Sequence, residues 1–446
     1  MTPSPPPAAA PHLDFAPQAT RIRYRIIGIS VLMAFIMYLD RICLGEIVKT
    51  DSFKQETGLS KDQIGSILGA FFFTYALFQV PAGWIGDRFG AQKMLAAYIL
   101  LWSLLTAATG LVYGSLGLLL MRLGVGVAQA GAYPTSNSII RRWAPLSQRG
   151  VSSGLISFGG RLGATAAPFL TMWLILNLGG WRQTLWIYGI VGVVIAIVYF
   201  LIVRDRPSDH SGCNTAEREL IGTREDDSQP ALGELLRLLL ACVSSRSLWL
   251  NSIGQFCVNI GWAFLVTWLP TYLKEEKQVP EQTGALMVSL VLAAGMLGQL
   301  VGGKMTDWSV RQFGLRYGRV LPISTANFIA GTAYLGCLSI DSVWGIVALC
   351  AVVSMMTDVA NPSIWAFMQD VGGKNTGAIF GWANMWGNFG ASFSSKMVPW
   401  LMAYGASSGS GQGLVFTMCG TAFFVAGLAA LGMNATMPLL SERRLR

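Results

Sequence analysis

Long stretches of apolar sequence with very few charges restrict this chain to a small set of folds. Examples are residues 26–39, 95–112, 185–203 and 414–433. A helix needs roughly 20 apolar residues to cross about 30 Å of hydrocarbon, where the backbone must satisfy its own hydrogen bonds. Only helices or a closed barrel do so, and these runs are continuous rather than alternating, which excludes the barrel. The chain is therefore predicted to be an all-α membrane protein.

Composition agrees with that prediction and excludes a nucleic-acid-binding protein. Apolar residues make up 53% of the 446 residues and charged residues only 12%, whereas soluble domains carry about 25% charged residues. The net charge of +9 would suit nucleic acid. However, the basic residues stand in short segments between apolar runs, where lysine and arginine set membrane topology.

The reactive side chains form no catalytic or cofactor pattern. Seven cysteines show no paired spacing, and only two histidines, His12 and His210, are present. A disulfide frame, a metal site and a Ser–His–Asp set are therefore not expected. A Gly-x-x-x-x-Gly-Lys loop is also missing, so the sequence predicts no enzyme, no cofactor and no use of nucleotide.

About twelve spans can be placed along the chain. They are residues 25–45, 62–85, 93–113, 116–140, 149–176, 184–203, 246–272, 283–305, 319–339, 342–367, 376–402 and 413–436. Basic residues precede the first span and follow the second, fourth, eighth and last. They are Arg21, Arg23, Arg25, Arg88, Lys93, Arg141, Arg142, Arg149, Arg311, Arg316, Arg319, Arg443, Arg444 and Arg446. By the positive-inside rule both termini are cytoplasmic, which requires an even number of spans.

A polar stretch near the middle of the chain divides six spans from six. The predicted organisation is a disordered cytoplasmic tail (1–21), a six-helix bundle (22–203), a cytoplasmic linker (204–243), a second six-helix bundle (244–437) and a cytoplasmic tail (438–446). Transporters built from repeated halves place their substrate near the midplane between the halves.

A glycine-rich acidic motif follows the second span. Its functional residues are Gly83, Asp87, Arg88 and Gly90, and a degenerate copy with Gly302, Gly303 and Asp307 follows the eighth span. Glycines permit close helix approach, and a carboxylate there accepts hydrogen bonds from a neighbouring helix end. The motif resembles the Gly-x-x-x-Asp-Arg-x-Gly signature of the major facilitator superfamily, although Ala91 and Gln92 occupy two usually basic positions. The resemblance implies a major facilitator fold with conformational roles for these residues.

Further residues are similar to those of the anion:cation symporter family, which includes bacterial galactonate, glucarate and hexuronate carriers. They are Tyr38–Arg41 in span 1, Arg122, Gly126, Gln129 and Gly131 in span 4, Trp268–Leu273, and Gln369–Gly373. The resemblance implies a secondary transporter in the cytoplasmic membrane that moves a small organic anion with protons by alternating access. It also implies that Arg41 and Arg122 hold the substrate carboxylate and that Asp40 takes the proton.

The residue chemistry fits those implied roles. Charged groups within spans are costly, so they indicate function by default. Asp40 and Arg41 lie about 15 residues into span 1, about 22 Å from its cytoplasmic end, at a depth compatible with Arg122. Guanidinium groups bind carboxylates through a planar fork. The alternative is a structural Asp–Arg pair that joins two helices.

Three other polar positions leave alternatives open. Gln129 stands where the family's sugar-acid carriers commonly have glutamate, so Asp358 is a candidate second proton carrier, or else a cap beside Asn361 and Pro362. Arg161 lies near the midplane of span 5. It either pairs with Asp358 or another acid, or adds a third cation that favours a doubly charged anion or a phosphate.

Neutral side chains complete the expected pocket. They are Tyr38, Tyr75, Trp365, Asn384 and Asn388, for which interhelical hydrogen bonding is the alternative. We expect a monomer in the lipid bilayer that carries a sugar acid or another carboxylate with protons, with Na⁺ as the alternative coupling ion. The alternatives in function are an antiporter of phosphorylated solutes and a membrane sensor that binds a solute without net transport.

Overall fold

The computed structural model describes residues 18–222, 230, 233–408 and 413–439, and within them the chain is helical without a strand. Most of the two predicted tails lies outside the described residues. The helices are α1 (Ile22–Ile47), α2 (Asp51–Thr57), α3 (Lys61–Phe89), α4 (Ala91–Thr109), α5 (Gly114–Ala130), α6 (Ala132–Trp143), α7 (Arg149–Asn177), α8 (Trp181–Ile202), α9 (Thr215–Ile221), α10 (Glu234–Ser244), α11 (Arg246–Ala263), α12 (Leu269–Glu275), α13 (Glu281–Gly336), α14 (Val343–Gly372), α15 (Thr376–Ser408) and α16 (Gly413–Leu431).

The described residues contain nine stretches of helix long and apolar enough to cross a membrane. Two of them, Gln282–Ser339 and Val343–Tyr404, are long enough for two crossings each. The helix α7, which carries Arg149 and Arg161, is not among the nine and adds another span. Together these account for the twelve spans predicted from the apolar runs.

Glycines make the sharp reversals between consecutive spans. Gly90 has φ 99° between α3 and α4, and Gly314 has φ 71° and ψ 176° within α13. Both φ values lie in the region that glycine adopts without steric cost. The eighth and ninth spans are therefore two helices that meet at Gly314, where the backbone is not helical.

The two halves repeat the same packing, offset by six spans. In the first half α1 packs on α7, α3 on α5, and α4 on α8. In the second half α11 packs on α15, the first part of α13 on α14, and its second part on α16. This repeat is the two-bundle arrangement that the sequence predicted.

Contacts between the halves concentrate on the side where α1 begins and the linker lies, here called the terminal side. There α3 packs against α15, and α7 packs against α13. A Cβ atom on Gly83 would lie 2.3 Å from the carbonyl oxygen of Gly377. Only glycine permits this backbone approach, so the motif predicted from sequence joins the halves.

The linker is fastened to the start of α1 by a buried carboxylate. Glu217 of α9 accepts hydrogen bonds from the backbone amides of Ile22 and Arg23, and its Oε1 lies 2.9 Å from Arg23 Nη1. Burial alone would raise the pKa of Glu217, but these bonds and one from Thr20 hold it below its ordinary value. The linker therefore includes an ordered helix that fixes the first span.

Basic residues that the sequence assigned to loops lie within helices. Arg149 is the first residue of α7, and Arg319 lies inside α13. Both are buried. The two residues stand where the predicted spans 149–176 and 319–339 begin, and the structure places them in the packed helices rather than in exposed loops.

Candidate functional site

A compact cavity of about 140 Å³ lies between the two halves. Five of the predicted site residues line it: Tyr38, Arg161, Asp358, Trp365 and Asn384. Its remaining wall is polar and aromatic, formed by Tyr133, Ser157, Gln255, Val258, Asn259, Trp262, Thr357, Asn361, Ile364 and Phe380. Such a mixture of rings, amides and one ion pair suits a small polar ligand.

Arg41 lies directly behind the aromatic wall of the cavity. Its guanidinium carbon is 4.6 Å from the centroid of the Tyr38 ring and 4.4 Å from that of Tyr75. Its Nε donates to Gln129 Oε1 at 3.2 Å, while its Nη2 is buried without a hydrogen-bond partner among the described residues. The cation is therefore held by rings and a neutral amide.

Arg122 lies beside Arg41 and is also held by neutral groups. Its Nη2 donates to the carbonyl oxygen of Arg41 at 2.7 Å, and its guanidinium carbon is 4.8 Å from the Phe71 ring centroid. Its Nε has no partner within the described parts of the chain. Thus a buried cation, Arg122, lies beside a partly buried one, Arg41, and each has one buried nitrogen without a partner in the described structure.

Asp40 is 1% exposed and lies on the same side of the cavity. Its Oδ2 accepts a hydrogen bond from Trp102 Nε1 at 3.0 Å, and its Oδ1 has no partner among described residues. In that part of the chain neither Arg41 nor Arg122 forms an ion pair with it. The alternative of a structural Asp–Arg pair therefore does not apply to this conformation.

Gln129 explains how Arg41 is held without being neutralised. Its Oε1 accepts from Arg41, and its Nε2 donates to the carbonyl oxygen of Met37 at 3.2 Å. A glutamate here would form an ion pair with Arg41 instead. The amide therefore fixes the position of the guanidinium and leaves its positive charge uncompensated.

Arg161 and Asp358 form an ion pair across the two halves. Arg161 Nη2 lies 2.7 Å from Asp358 Oδ1, and the guanidinium carbon is 3.8 Å from the Trp262 ring centroid. Gln299 Nε2 donates to the same Oδ1 at 2.9 Å. Pairing with Asp358 was one of the two alternatives that the sequence left open for Arg161.

The other predicted pocket residues are divided between the cavity and its surroundings. Tyr75 is buried and packs on Phe71, with ring centroids 5.4 Å apart. Asn388 donates to the carbonyl oxygen of Asn384 at 2.8 Å and does not line the cavity. Sequence reasoning did not assign roles to Trp102 or Trp262, because an isolated tryptophan in a span equally indicates an interface anchor.

The two motif aspartates bind the helix that faces them in the opposite half. Asp87 accepts from the amides of Gly377 and Ala378 at 3.1 and 3.0 Å, where α15 begins. Asp307 accepts from Gly150 and Val151 at 2.8 and 2.9 Å, where α7 begins. Carboxylates are stabilised at helix N-termini, where amides are unpaired and the dipole is positive. These are the helix-end hydrogen bonds predicted from the motif.

A buried ion network adjoins the Asp307 contact. Asp370 of α14 forms ion pairs with Arg149 of α7 and with Arg319, whose Nε is 2.7 Å from Asp370 Oδ2. Arg319 also lies 3.8 Å from Asp307. The network joins α7 of the first half to α13 and α14 of the second, and it closes the terminal side.

Comparison with known proteins gives a consistent family of relatives. The family model described as Major Facilitator Superfamily matches residues 30–395. The probable sulfoacetate transporter of Cupriavidus necator is 30% identical over 434 residues, which cover 95% of this chain and 96% of that protein. The probable galactarate/D-glucarate transporter of Escherichia coli K12 is 26% identical over 390 residues, 83% and 84% of the two chains. The D-galactonate transporter of Escherichia coli O6:H1 is 27% identical over 396 residues, 86% and 89% of the two.

Solved structures support the same fold. The fucose:proton symporter of Escherichia coli superimposes with a TM-score of 0.69 at 14% identity, covering 92% of this chain and 98% of the symporter. A proton:xylose symporter superimposes with a TM-score of 0.64 at 16% identity, covering 91% and 94%. At these identities the likeness concerns the fold alone.

Proposed function

The chain belongs to the Major Facilitator Superfamily, and from this premise we propose that it carries a small organic anion together with protons across the cytoplasmic membrane. It is a secondary transporter of this superfamily, not an enzyme. The proposal adds the substrate class and the coupling ion. Both rest on the charges beside the central cavity.

The observation that carries the proposal is the pair of uncompensated arginines. Arg41 and Arg122 are held by neutral groups, and each keeps a buried nitrogen without a partner in the described structure. Removing an unpaired charge from water is costly. An anion that reaches the two guanidinium groups removes that cost and gains charge-assisted hydrogen bonds. The site is thus complementary to a carboxylate or another acid group.

The anion reaches these arginines past the tyrosines that now cover them. Tyr38 separates Arg41 from the cavity, so we propose that its ring moves aside or hydrogen-bonds the ligand. Tyr75, Trp365, Asn384 and Asn388 are proposed to contact the rest of the ligand, since hydroxyl-rich acids need donors and acceptors.

Asp40 is the proposed proton carrier. It is buried without an ion-pair partner in the described structure, and one oxygen is free of hydrogen bonds there. Protonation removes the cost of that buried charge. A bound anion and a proton on Asp40 leave the charge of the loaded site close to that of the empty one, which couples the two.

The substrates for which the relatives are named support the substrate class. Sulfoacetate, galactarate, D-glucarate and D-galactonate are all small organic acids, and their transporters cover most of this chain. We propose that one of these acids, or a close analogue, is the substrate here.

Alternating access follows from the contacts between the halves. The terminal side is closed by Asp87, Asp307 and the Asp370 network. If the termini are cytoplasmic, as the basic residues predict, this conformation is closed towards the cytoplasm. Gly83, Arg88 and Gly90 complete the proposed conformational motif around Asp87.

The test is uptake of radiolabelled sulfoacetate, galactarate, D-glucarate and D-galactonate into proteoliposomes with an imposed pH gradient. We expect accumulation that requires the gradient and is abolished in Arg41→Gln and Arg122→Gln. Asp40→Asn should retain exchange but lose gradient-driven accumulation. Arg182→Gln is the control, because Arg182 pairs with Glu56 on the opposite surface. Gradient-independent exchange with phosphate would favour the antiporter, and binding without uptake would favour the sensor.

A further inference from the structure

We propose that Arg161 exchanges partners during transport: it binds Asp358 in the empty carrier and the second acidic group of a doubly charged ligand in the loaded one. The inference rests on the proposed function and assigns a substrate class, small dianions, to the same cavity. Its basis is the difference in exposure between Arg161 and Asp358, the ion pair that lines that cavity.

The guanidinium of this pair is accessible and the carboxylate is not. The Arg161 side chain is 21% exposed, whereas that of Asp358 is 2% exposed. Both line the cavity. A ligand in the cavity therefore meets the positive member first. Asp358 Oδ1 is shared between Arg161 and Gln299, so the carboxylate keeps a donor when the arginine leaves.

The guanidinium has both a support and spare donors for the exchange. Arg161 lies over the Trp262 ring at 3.8 Å, and this cation–π contact does not depend on Asp358. Asp358 occupies Nη2 only, at 2.7 Å, while a guanidinium offers five N–H donors in a plane. A ligand acid group can therefore bind before the bond to Asp358 has broken.

Tyr38 links the surroundings of Arg161 and Arg41. The Arg41 guanidinium carbon is 4.6 Å from the Tyr38 ring centroid. The same ring packs on α7 next to Arg161, where a Cβ atom on Gly160 would lie 2.9 and 3.0 Å from two Tyr38 ring carbons. Tyr38 and Arg161 both line the cavity of about 140 Å³. We therefore expect one acidic group of a small dianion to bind Arg161 and the other to bind Arg41 once Tyr38 has moved aside.

Release of Asp358 leaves a buried carboxylate that needs a proton. The charged group that faces it in the described structure is Arg161 from α7. Its other neighbours are neutral: Gln299 donates to it from α13, and Ser354 lies next to it on α14 beside Gly295. The phenols of Tyr38 and Tyr133 line the cavity on the Arg161 side. Without Arg161 the carboxylate charge is uncompensated, and protonation removes that cost.

Two consequences follow for transport. A dianion brings one more negative charge than a monoanion, and Asp358 takes up one more proton to match it. The ion pair also joins α7 of the first half to α14 of the second. Ligand binding therefore breaks a contact between the halves at the moment the cavity fills.

The experiment uses two matched pairs of probes in proteoliposomes. Sulfoacetate and isethionate differ by one carboxylate replaced with a hydroxymethyl group, and glucarate and gluconate differ in the same way. Transport efficiency is measured for each probe at two pH values, in the native chain, Arg161→Gln, Arg161→Lys, Asp358→Asn and the control Arg182→Gln. We expect the native chain and the control to prefer the dianion of the transported pair.

Substitutions of the two partners of the ion pair are expected to change transport of the dianion in opposite directions. Arg161→Gln should lower the dianion-to-monoanion ratio by about tenfold or more, the size of a charge-assisted hydrogen bond, and Arg161→Lys should restore part of it. Asp358→Asn should raise the apparent affinity for the dianion, because the ligand no longer competes for Arg161. It should also remove the steeper pH dependence of dianion uptake.

A purely structural ion pair gives another pattern. Both variants would then impair uptake of both members of each pair alike, with an unchanged ratio, and the inference would be overturned while the proposed function stands. Equal pH dependence of dianion and monoanion uptake in the native chain would overturn it as well. If no probe is transported, the proposed function fails, and the inference fails with it.

Discussion

At the terminal side Asp370 lies between Arg149 and Arg319, whereas beside the cavity Asp40, Arg41 and Arg122 have only neutral partners in the described structure. Apart from the partly buried Arg41, both sets are buried charges in a largely apolar bundle. Buried donors without a hydrogen-bond partner occur in both regions. The difference is that at the terminal side each carboxylate meets arginines or the first amides of a facing helix, whereas these three groups beside the cavity form no ion pair in the described structure.

The difference separates two purposes of buried charge. Removing one member of a buried pair is strongly destabilising, because the other charge remains uncompensated. Charges that are already uncompensated lower stability where they are, and functional sites commonly carry such a cost. We therefore propose that the charges at the terminal side hold the halves together and that those beside the cavity bind the transported anion. Four variants test this contrast.

The largest effect is expected at Arg319. Its replacement by glutamine leaves Asp370 with one arginine and removes the cation near Asp307, so the free energy of unfolding should fall by about 3–5 kcal/mol. Thermal unfolding in detergent with lipid measures the change. Arg316→Gln is the control, since Arg316 is exposed on the same helix. Equal stability of the two variants would show that the network does not hold the halves together.

Arg122→Gln should have the opposite effect on stability and a large one on transport. Uptake should fall about a hundredfold or more, equivalent to about 3 kcal/mol. The free energy of unfolding should stay the same or rise by about 1 kcal/mol, because an unpaired buried cation is removed. Arg122→Lys keeps the positive charge, so it should lose uptake without a rise in the free energy of unfolding. A marked loss of stability in Arg122→Gln would remove the contrast with Arg319.

Asp87→Asn should loosen the closure without unfolding the protein. The amide keeps one acceptor but presents a donor to the backbone N–H of Gly377 or Ala378 and loses the charge at the start of α15. We expect the ratio of closed to open conformations to fall about thirtyfold, or about 2 kcal/mol.

That shift is measurable as a longer distance between spin labels at Leu146 and Phe313, which are exposed in opposite halves near the terminal side. Asp62→Asn, an exposed position at the start of the same helix, is the matched control. An unchanged distance distribution in Asp87→Asn would show that Asp87 does not hold the terminal side closed.

The smallest effect is expected at Glu217, a paired charge outside the spans. Glu217→Gln should speed amide hydrogen exchange in α9 about fivefold, or about 1 kcal/mol, whereas Glu219→Gln on the exposed face should not. Because the pKa of Glu217 lies below its ordinary value of 4.5, its contribution is complete above that pH. It is lost only as the pH falls through the lowered pKa. Protection of the α9 amides in the native chain, corrected for the intrinsic exchange rate, that already declines between neutral pH and the ordinary pKa of glutamate would contradict this.

The fold was predictable because the bilayer leaves the chain few choices. The apolar runs gave twelve spans, and the two copies of the glycine–aspartate motif predicted helix-end contacts that the structure contains. The error lies in basic residues that were counted as loop cations. Arg149 and Arg319, at which two predicted spans begin, lie within helices and belong to a buried network.

The sequence indicated which charged side chains lie within the spans, but not which groups they contact. Span position indicated that Asp40, Arg41, Arg122 and Arg161 are costly. It did not show that Trp102 from α4 supplies the hydrogen bond to Asp40, because a tryptophan within a span has several common roles. Contacts between side chains far apart in sequence depend on the relative rotation of the helices, which a single sequence does not specify.

The reciprocal contacts of Asp87 and Asp307 have a consequence for leakage. Each half binds the first turn of a helix in the other through one aspartate, at two places related by the repeat. Separating the halves at one of these contacts leaves a carboxylate and two backbone amides without partners. The other contact still opposes the separation, so a state in which only one contact is broken is unfavourable. The bundle therefore favours conformations in which the terminal side is either fully closed or fully open. A continuous water path for uncoupled ions has no low-energy conformation in which to form.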